Sequence, residues 1–175
     1  FIDNSEDYFF TFNYTSVLER IYRVPSNHIL HIHGGLYPYC DEPPILGHGN
    51  VKKIKEYREK AERAAEEYDE GKESIYNAVA NYYERTFKNT NECMSFRGIF
   101  FRQLTEVNNV EIIGHSFGEV DMPYFTYLKY CISKNAKWKF YYHSSEDYNA
   151  AEKAVKELEL DIGDYEILPS DCFWQ

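Results

Sequence analysis

The run Gly114-His115-Ser116-Phe117-Gly118, with Asp121 close behind, is the densest set of reactive groups in the chain. It sets an imidazole, a hydroxyl and a carboxylate beside one another, the groups of proton transfer and nucleophilic attack. Asn13, His33 and the pair His143–Ser144 occupy comparable places: each closes a short apolar run. Together they offer a base, a neutral hydrogen-bonding amide and hydroxyls. Whether they meet depends on the elements that carry them.

Two simpler chemistries are weighed first. Gly114 to Gly118 has the Gly-x-Ser-x-Gly spacing of a nucleophile elbow, which would make Ser116 the nucleophile of a serine hydrolase. An elbow is followed at once by its helix, yet Glu119 to Pro123 delays it. Downstream of Ser116 the one histidine is His143, and the carboxylates between them, Glu119 and Asp121, belong to the loop itself. His28-x-x-His31-x-His33 contains ligand-type residues, but a strand pleat sets His28 opposite the other two and no carboxylate cluster follows. No metal site is expected.

The elements read as follows. Tyr8 to Asn13 is an aromatic strand ending on Asn13. Ser16 and Glu19 have capping-box spacing, and Val17, Leu18, Ile21 and Tyr22 share one face of a helix. His28 to His33 is a second strand, with His31 and His33 on one face, halted by Gly34-Gly35. Residues 36–50, rich in Pro and Gly, form a loop carrying His48. Val51 to about Glu70 is a charged helix with a thin apolar stripe, and Ile75, Val79, Tyr82, Tyr83 and Phe87 mark the next. These make an αα-hairpin, a helical insert over 51–95, whose charged faces are either merely solvated or a partner surface. A helix near Phe96 to Val107 feeds a buried strand, Val110 to Ile113. Asp121 is placed to cap a helix with Pro123 in its first turn. The helix Tyr124 to Ile132, the strand Trp138 to His143, a helix from Ser144 and a strand Tyr165 to Leu168 complete the order.

Strands alternating with helices predict a single α/β domain over 1–175, its sheet mainly parallel with helices on both faces. In such sheets ligands lie beyond the carboxyl ends of strands. Asn13, His33, His115 with Ser116, and His143 with Ser144 all fall there, so they are expected to line one crevice.

Composition narrows the partners. The 175 residues, 43% hydrophobic and 18% aromatic, suffice for a real core. A net charge of −10 argues against nucleic acid, which needs a basic face. No apolar run approaches the ~20 residues of a membrane span. Four cysteines without a Cys-x-x-Cys pair read as reduced thiols in a cytoplasmic protein.

Phe12-Asn-Tyr-Thr with Leu18-Glu19, Ile32-His-Gly34, Gly47-His-Gly49 and Ile113-Gly-His-Ser-Phe-Gly-Glu-Val-Asp121 together resemble the AbiH family of bacterial phage abortive-infection proteins. The likeness runs from Phe9 to about Tyr148. That family is in turn similar to sirtuin-like, Rossmann-like NAD-binding domains. The resemblance implies that Asn13 and His33 form a catalytic pair at the nicotinamide ribose, while Gly114 and Ser116 belong to a cofactor loop. His115, Asp121, His143 and Ser144 are expected at the same cofactor site. It implies NAD as the substrate and cleavage by water, since the four-cysteine zinc module of sirtuins is absent. The other reading is a non-catalytic nucleotide- or partner-sensing domain. No glycine-rich strand–loop–helix precedes Phe1, so the chain is expected to lack that first unit and to self-associate or bind a partner protein.

Overall fold

The computed structural model describes residues 6–36 and 43–174. Pro38 and Cys40, in the expected Pro- and Gly-rich loop, lie outside the described residues. The strands are β1 (Phe9–Thr11), β2 (Ile29–His31), β3 (Asn109–Ile113), β4 (Lys137–Tyr142) and β5 (Tyr165–Pro169). The helices are α1 (Val17–Arg20), α2 (Val51–Glu66), α3 (Glu70–Arg85), α4 (Thr90–Phe96), α5 (Gly98–Arg102), α6 (Met122–Cys131) and α7 (Ser145–Glu157).

Every strand pairing is parallel, as the alternation of elements predicts. The single sheet expected is instead two: β1–β2, and β3–β4–β5 with β4 in the middle. β1 and β2 are only three residues each, and among the described residues no strand joins β1 to β3. One apolar core nevertheless serves both sheets. Leu30 and Ile32 from the first pair meet Ile112, Trp138 and Phe140 from the second through Phe100, Phe101, Tyr124 and Phe125.

Period-two alternation explains the three-stranded sheet. Trp138 and Phe140 of β4 are 2% and 1% exposed, and they pack on Ala151, Ala154 and Val155 of α7. The residues between them face the other way: Glu111, Ile113 and Glu166 are exposed, and Glu111 pairs with Lys139 at 3.5 Å. α6 and α7 thus bury one face of this sheet, whereas the other carries Glu111, Lys139, Glu166 and Ile113, with half-buried Tyr141 packed on Phe173.

Local signals of helix ends are kept in some places and diverted in others. α7 has a full capping box: the Asp147 N–H donates to Ser144 Oγ, and the Ser144 N–H donates to Asp147 Oδ2. The expected box at Ser16 and Glu19 does not form, because Glu19 is engaged by His31. α1 accordingly runs only Val17–Arg20, with Ile21 71% exposed, so its expected apolar face is largely open to water. The second strand is also shorter than its apolar pattern. His28 ends a 3-10 turn, and the Gly34 N–H bonds back to the His31 carbonyl, which bends the chain at Ile32–His33. That turn separates His31 from His33, which a continuous strand would have kept on one face. Of the helix expected from Phe96 to Val107 only Gly98–Arg102 forms, as α5, with turns at Arg97 and after Arg102.

α2 and α3 pack almost wholly against each other. Ala61, Ala64 and Ala80 let them close together, and Tyr57 stacks on Tyr83. Arg58 clamps the pair with a two-point bond to Glu84 at 3.0 and 2.7 Å and further bonds to Asn77 and Asn81. Hydrogen bonds from Lys60 and Lys53 hold the Glu56 carboxyl down at about 2. The hairpin joins the body through a narrow neck. There the His48 N–H donates to the Thr86 carbonyl and the Lys88 N–H to the His48 carbonyl. A Cβ on Gly47 would collide with the Thr86 carbonyl, and one on Gly49 would lie 2.6 Å from Val120 Cγ2. Glycine is required at both.

Candidate functional site

The loop after β3 is shaped by two left-handed residues, Gly114 at φ +64 and Phe117 at φ +53. Glycine tolerates that conformation; phenylalanine adopts it at a cost. The cost is offset by the Phe117 ring, which packs on Phe125 and Phe140, and by the Phe117 N–H, which donates to His115 Nδ1 at 2.9 Å. This tight turn carries His115 inward, where its ring lies 4.3 Å from that of Phe12. Ser116, between the two strained positions, is left exposed.

Asp121 is the hub. It stands at the start of α6, but its side chain makes no cap; Oδ1 lies 3.4 Å from His33 Nε2 and Oδ2 lies 3.7 Å from His115 Nε2. Burial pushes its carboxyl up, yet the His33 hydrogen bond and the nearby charges of His115, His33 and Lys88 outweigh it, and the net direction is down. Asp121 is therefore ionised at neutral pH and can only accept. That assigns the protons. Nε2 of each ring carries a hydrogen, and His115 Nδ1 is an acceptor already used by Phe117. His33 Nδ1 is then a bare lone pair, buried and without a partner. Burial, before the opposing pull of Asp121, lowers the His115 imidazole below its ordinary range, so it is neutral at pH 7. His33 itself is 3% exposed, enclosed by the rings of Phe12 and Tyr124 at 5.6 and 5.3 Å.

The four motif segments meet at this point. The Ile45 N–H donates to the His33 carbonyl at 2.7 Å, the Tyr14 hydroxyl donates to the Ile45 carbonyl, and Gly49 abuts Val120 beside Asp121. Of the residues singled out in the sequence, His33, His115 and Asp121 come together, and Gly114 shapes the loop that brings them. Ser116 opens to solvent on the same loop. Asn13, at the end of β1, has an exposed side chain; its carbonyl accepts from His31 Nδ1 at 2.8 Å. His143 and Ser144 are not part of the group. Ser144 caps α7, and exposed His143 lies 3.4 Å from Ser170 Oγ.

Two further polar groups escaped the sequence reading. Glu19 and His31 form a buried pair at 2.8 Å behind Asn13. Lys88 is only 7% exposed, and its charge is the smallest of those that lower the Asp121 carboxyl. A lysine just past a lysine-rich amphipathic hairpin carries no signal that separates it from the solvated ones. A groove of 320 Å³ lies elsewhere, at the amino end of β2 against α5, lined by Ser26, Ile29, Leu30 and Phe100. Among the described residues no group of three or more His, Cys, Asp or Glu side chains is arranged to hold a metal, and Cys93, Cys131 and Cys172 are free thiols. No helix among them is long and apolar enough to cross a membrane.

Parallel strands, with two imidazoles gathered around one carboxylate beyond their carboxyl ends, define an α/β protein. The family model described as bacteriophage abortive infection AbiH matches residues 1–142, and the chain belongs to the AbiH family. Its role is accordingly in abortive infection, a defence against phage. No curated protein and no solved structure matches the chain.

Proposed function

We propose that the chain serves phage defence through a sirtuin-like, Rossmann-like nucleotide site that binds NAD and hydrolyses its nicotinamide–ribose bond. The observation that carries this reading is the Asp121 carboxylate set between His33 Nε2 and His115 Nε2. A carboxylate behind an imidazole holds the ring in one tautomer and strengthens the opposite nitrogen as a base. The buried, unpartnered Nδ1 of His33 suits a hydroxyl or water proton, so the residues fit a ribose. As nicotinamide leaves with the bonding pair, water adds to the ribose carbon and its proton passes to His33. Asn13 would orient that water or the ribose without adding charge. Gly114 and Ser116 remain cofactor contacts in this scheme.

Ser116 is a poor nucleophile here. Both nitrogens of the adjacent His115 already face partners, the Phe117 N–H and Asp121. A non-catalytic sensor is the second reading, favoured by one observation: His33 is 3% exposed, so its base nitrogen is shut away from solvent.

The experiment is NAD content in phage-infected bacteria expressing the full-length protein, its His33→Ala and Asp121→Asn variants and Ser116→Ala. Hydrolysis predicts NAD loss with the parent and none with His33→Ala, a base removal that costs ~10²–10⁴-fold. Ser116→Ala should weaken binding and spare turnover. Protection by all variants without NAD loss would leave the sensor.

A further inference from the structure

We propose that His31 and Glu19 are positioning residues for Asn13: the pair holds the end of β1 so that the Asn13 amide meets the ligand. The assignment rests on the reading of that crevice as a site of NAD hydrolysis. Asn13 is held through its backbone and left open at its side chain. Its N–H donates to Thr11 Oγ1 at 3.1 Å, and its carbonyl accepts from His31 Nδ1 at 2.8 Å. The amide itself is exposed and makes no hydrogen bond among the described residues. A residue fixed at both main-chain groups by other side chains, yet presenting an unengaged amide, is arranged for a ligand.

The hold reaches back to a buried pair. Leu30 turns into the core, so His31 after it faces the other way, where α1 brings Glu19 Oε1 to 2.8 Å from Nε2. The two side chains are 7% and 12% exposed. A carbonyl only accepts, so His31 Nδ1 carries a hydrogen, and the ring is anchored at both nitrogens. Stability alone does not ask for such a pair, since well-packed apolar residues in its place are often as stable or more so. What an apolar pair lacks is a donor for the Asn13 carbonyl.

The same turn is tied to the proposed base. The Tyr14 hydroxyl donates to the Ile45 carbonyl at 3.0 Å, and the Ile45 N–H donates to the His33 carbonyl at 2.7 Å. The Leu36 N–H closes the turn on the Tyr14 carbonyl at 2.8 Å. Asn13 and His33 are thus set by linked backbones, with His31 fixing the first and Ile45 joining it to the second. Without the pair the Asn13 amide loses its anchor, while the His33 ring keeps its own partner, Asp121. A reacting group misplaced by ~1 Å can cost about 10²-fold in rate.

Steady-state NAD hydrolysis by the full-length protein tests the assignment. The variants are Asn13→Ala, Glu19→Gln, and the paired replacement Glu19→Ala, His31→Phe, the last alone and in the Asn13→Ala background. The paired replacement leaves no uncompensated buried charge and should fold. It should lower kcat roughly 10–100-fold with KM little changed, and cost nothing more in the Asn13→Ala background. Glu19→Gln, whose amide can still engage the ring, should lose less than the paired replacement. Equal losses with and without Asn13 would mean a general structural effect and overturn the proposal, as would an unchanged kcat. Should the paired replacement fail to fold, His31→Gln takes its place in the same comparison. A parent that leaves NAD intact retires hydrolysis, and the heteronuclear NOE of the Asn13 backbone amide then decides. A fall at Asn13 in the paired replacement, with β4 unchanged, keeps the pair as the holder of Asn13; an unchanged value overturns it.

Discussion

Glu19 Oε1 stands 2.8 Å from His31 Nε2, so a side chain spaced to cap α1 instead ties that helix to β2. The other ring nitrogen of His31 meets the Asn13 carbonyl at 2.8 Å. Both nitrogens thus face oxygen acceptors, and the ring fixes the strand-to-helix turn after Asn13 from behind. The two side chains are 12% and 7% exposed, deep enough for the pair to matter. Removing one member of a buried pair typically costs about 3–5 kcal/mol, because the other is left uncompensated. Glu19→Ala should therefore destabilise the chain by more than Glu19→Ala, His31→Phe together, as read by urea unfolding of the cycle. Additive losses would mean that the two side chains act independently.

Acid should weaken the fold through the Asp121 hub. His115 is lowered in the folded protein, so its contribution is whole above its unfolded value near 6.5 and declines as pH falls below that. Asp121 is lowered as well, and its contribution is lost further down, as pH falls through its folded value below 3.8. The melting temperature should be level just above neutral pH and drop in two stages on acidification. His115→Gln should remove the upper stage and leave the lower one.

The neck predicts a local steric effect. Gly49→Ala places a Cβ 2.6 Å from Val120 Cγ2, and overpacking of this kind costs about 1–3 kcal/mol. Faster hydrogen exchange at the His48 and Lys88 amides, with β4 unaffected, is the expected reading. Uniform exchange across the chain would show that the neck is not a separate unit.

Strand length sets another contrast. β4 is paired on both sides from Trp138 to Tyr141, whereas β1 and β2 form a pair of three. Amides of β4 should exchange slowest and those of β1–β2 among the fastest in the sheets, since opening free energy follows burial and pairing.

Where local pattern and tertiary demand agree, the sequence can be read directly. Trp138 and Phe140 alternate into the core, and Ser144 with Asp147 caps α7, as their spacing predicts. It misleads where a long-range partner claims a local signal. Ser16–Glu19 and Asp121 both look like caps, and both carboxylates are taken by histidines from other segments. Nothing within a few residues of Asp121 reveals His33, which is 88 positions away. Lys88 is hidden for the opposite reason: among many lysines, only the neck tells it apart. The split sheet follows from β1 and β2 being shorter than their apolar runs, because turns claim Ile32 and His33.

The narrow neck makes the hairpin a lever. A helix the length of α2, at 1.5 Å per residue, reaches about 24 Å from its fulcrum, so a tilt of about 10° there sweeps the far end through about 4 Å. The fulcrum is His48–Lys88, and Gly49 beside it abuts Val120, the residue before Asp121. A push on the distal turn near Tyr68, which is 93% exposed, therefore reaches the neck as a much smaller displacement delivered with proportionally greater force.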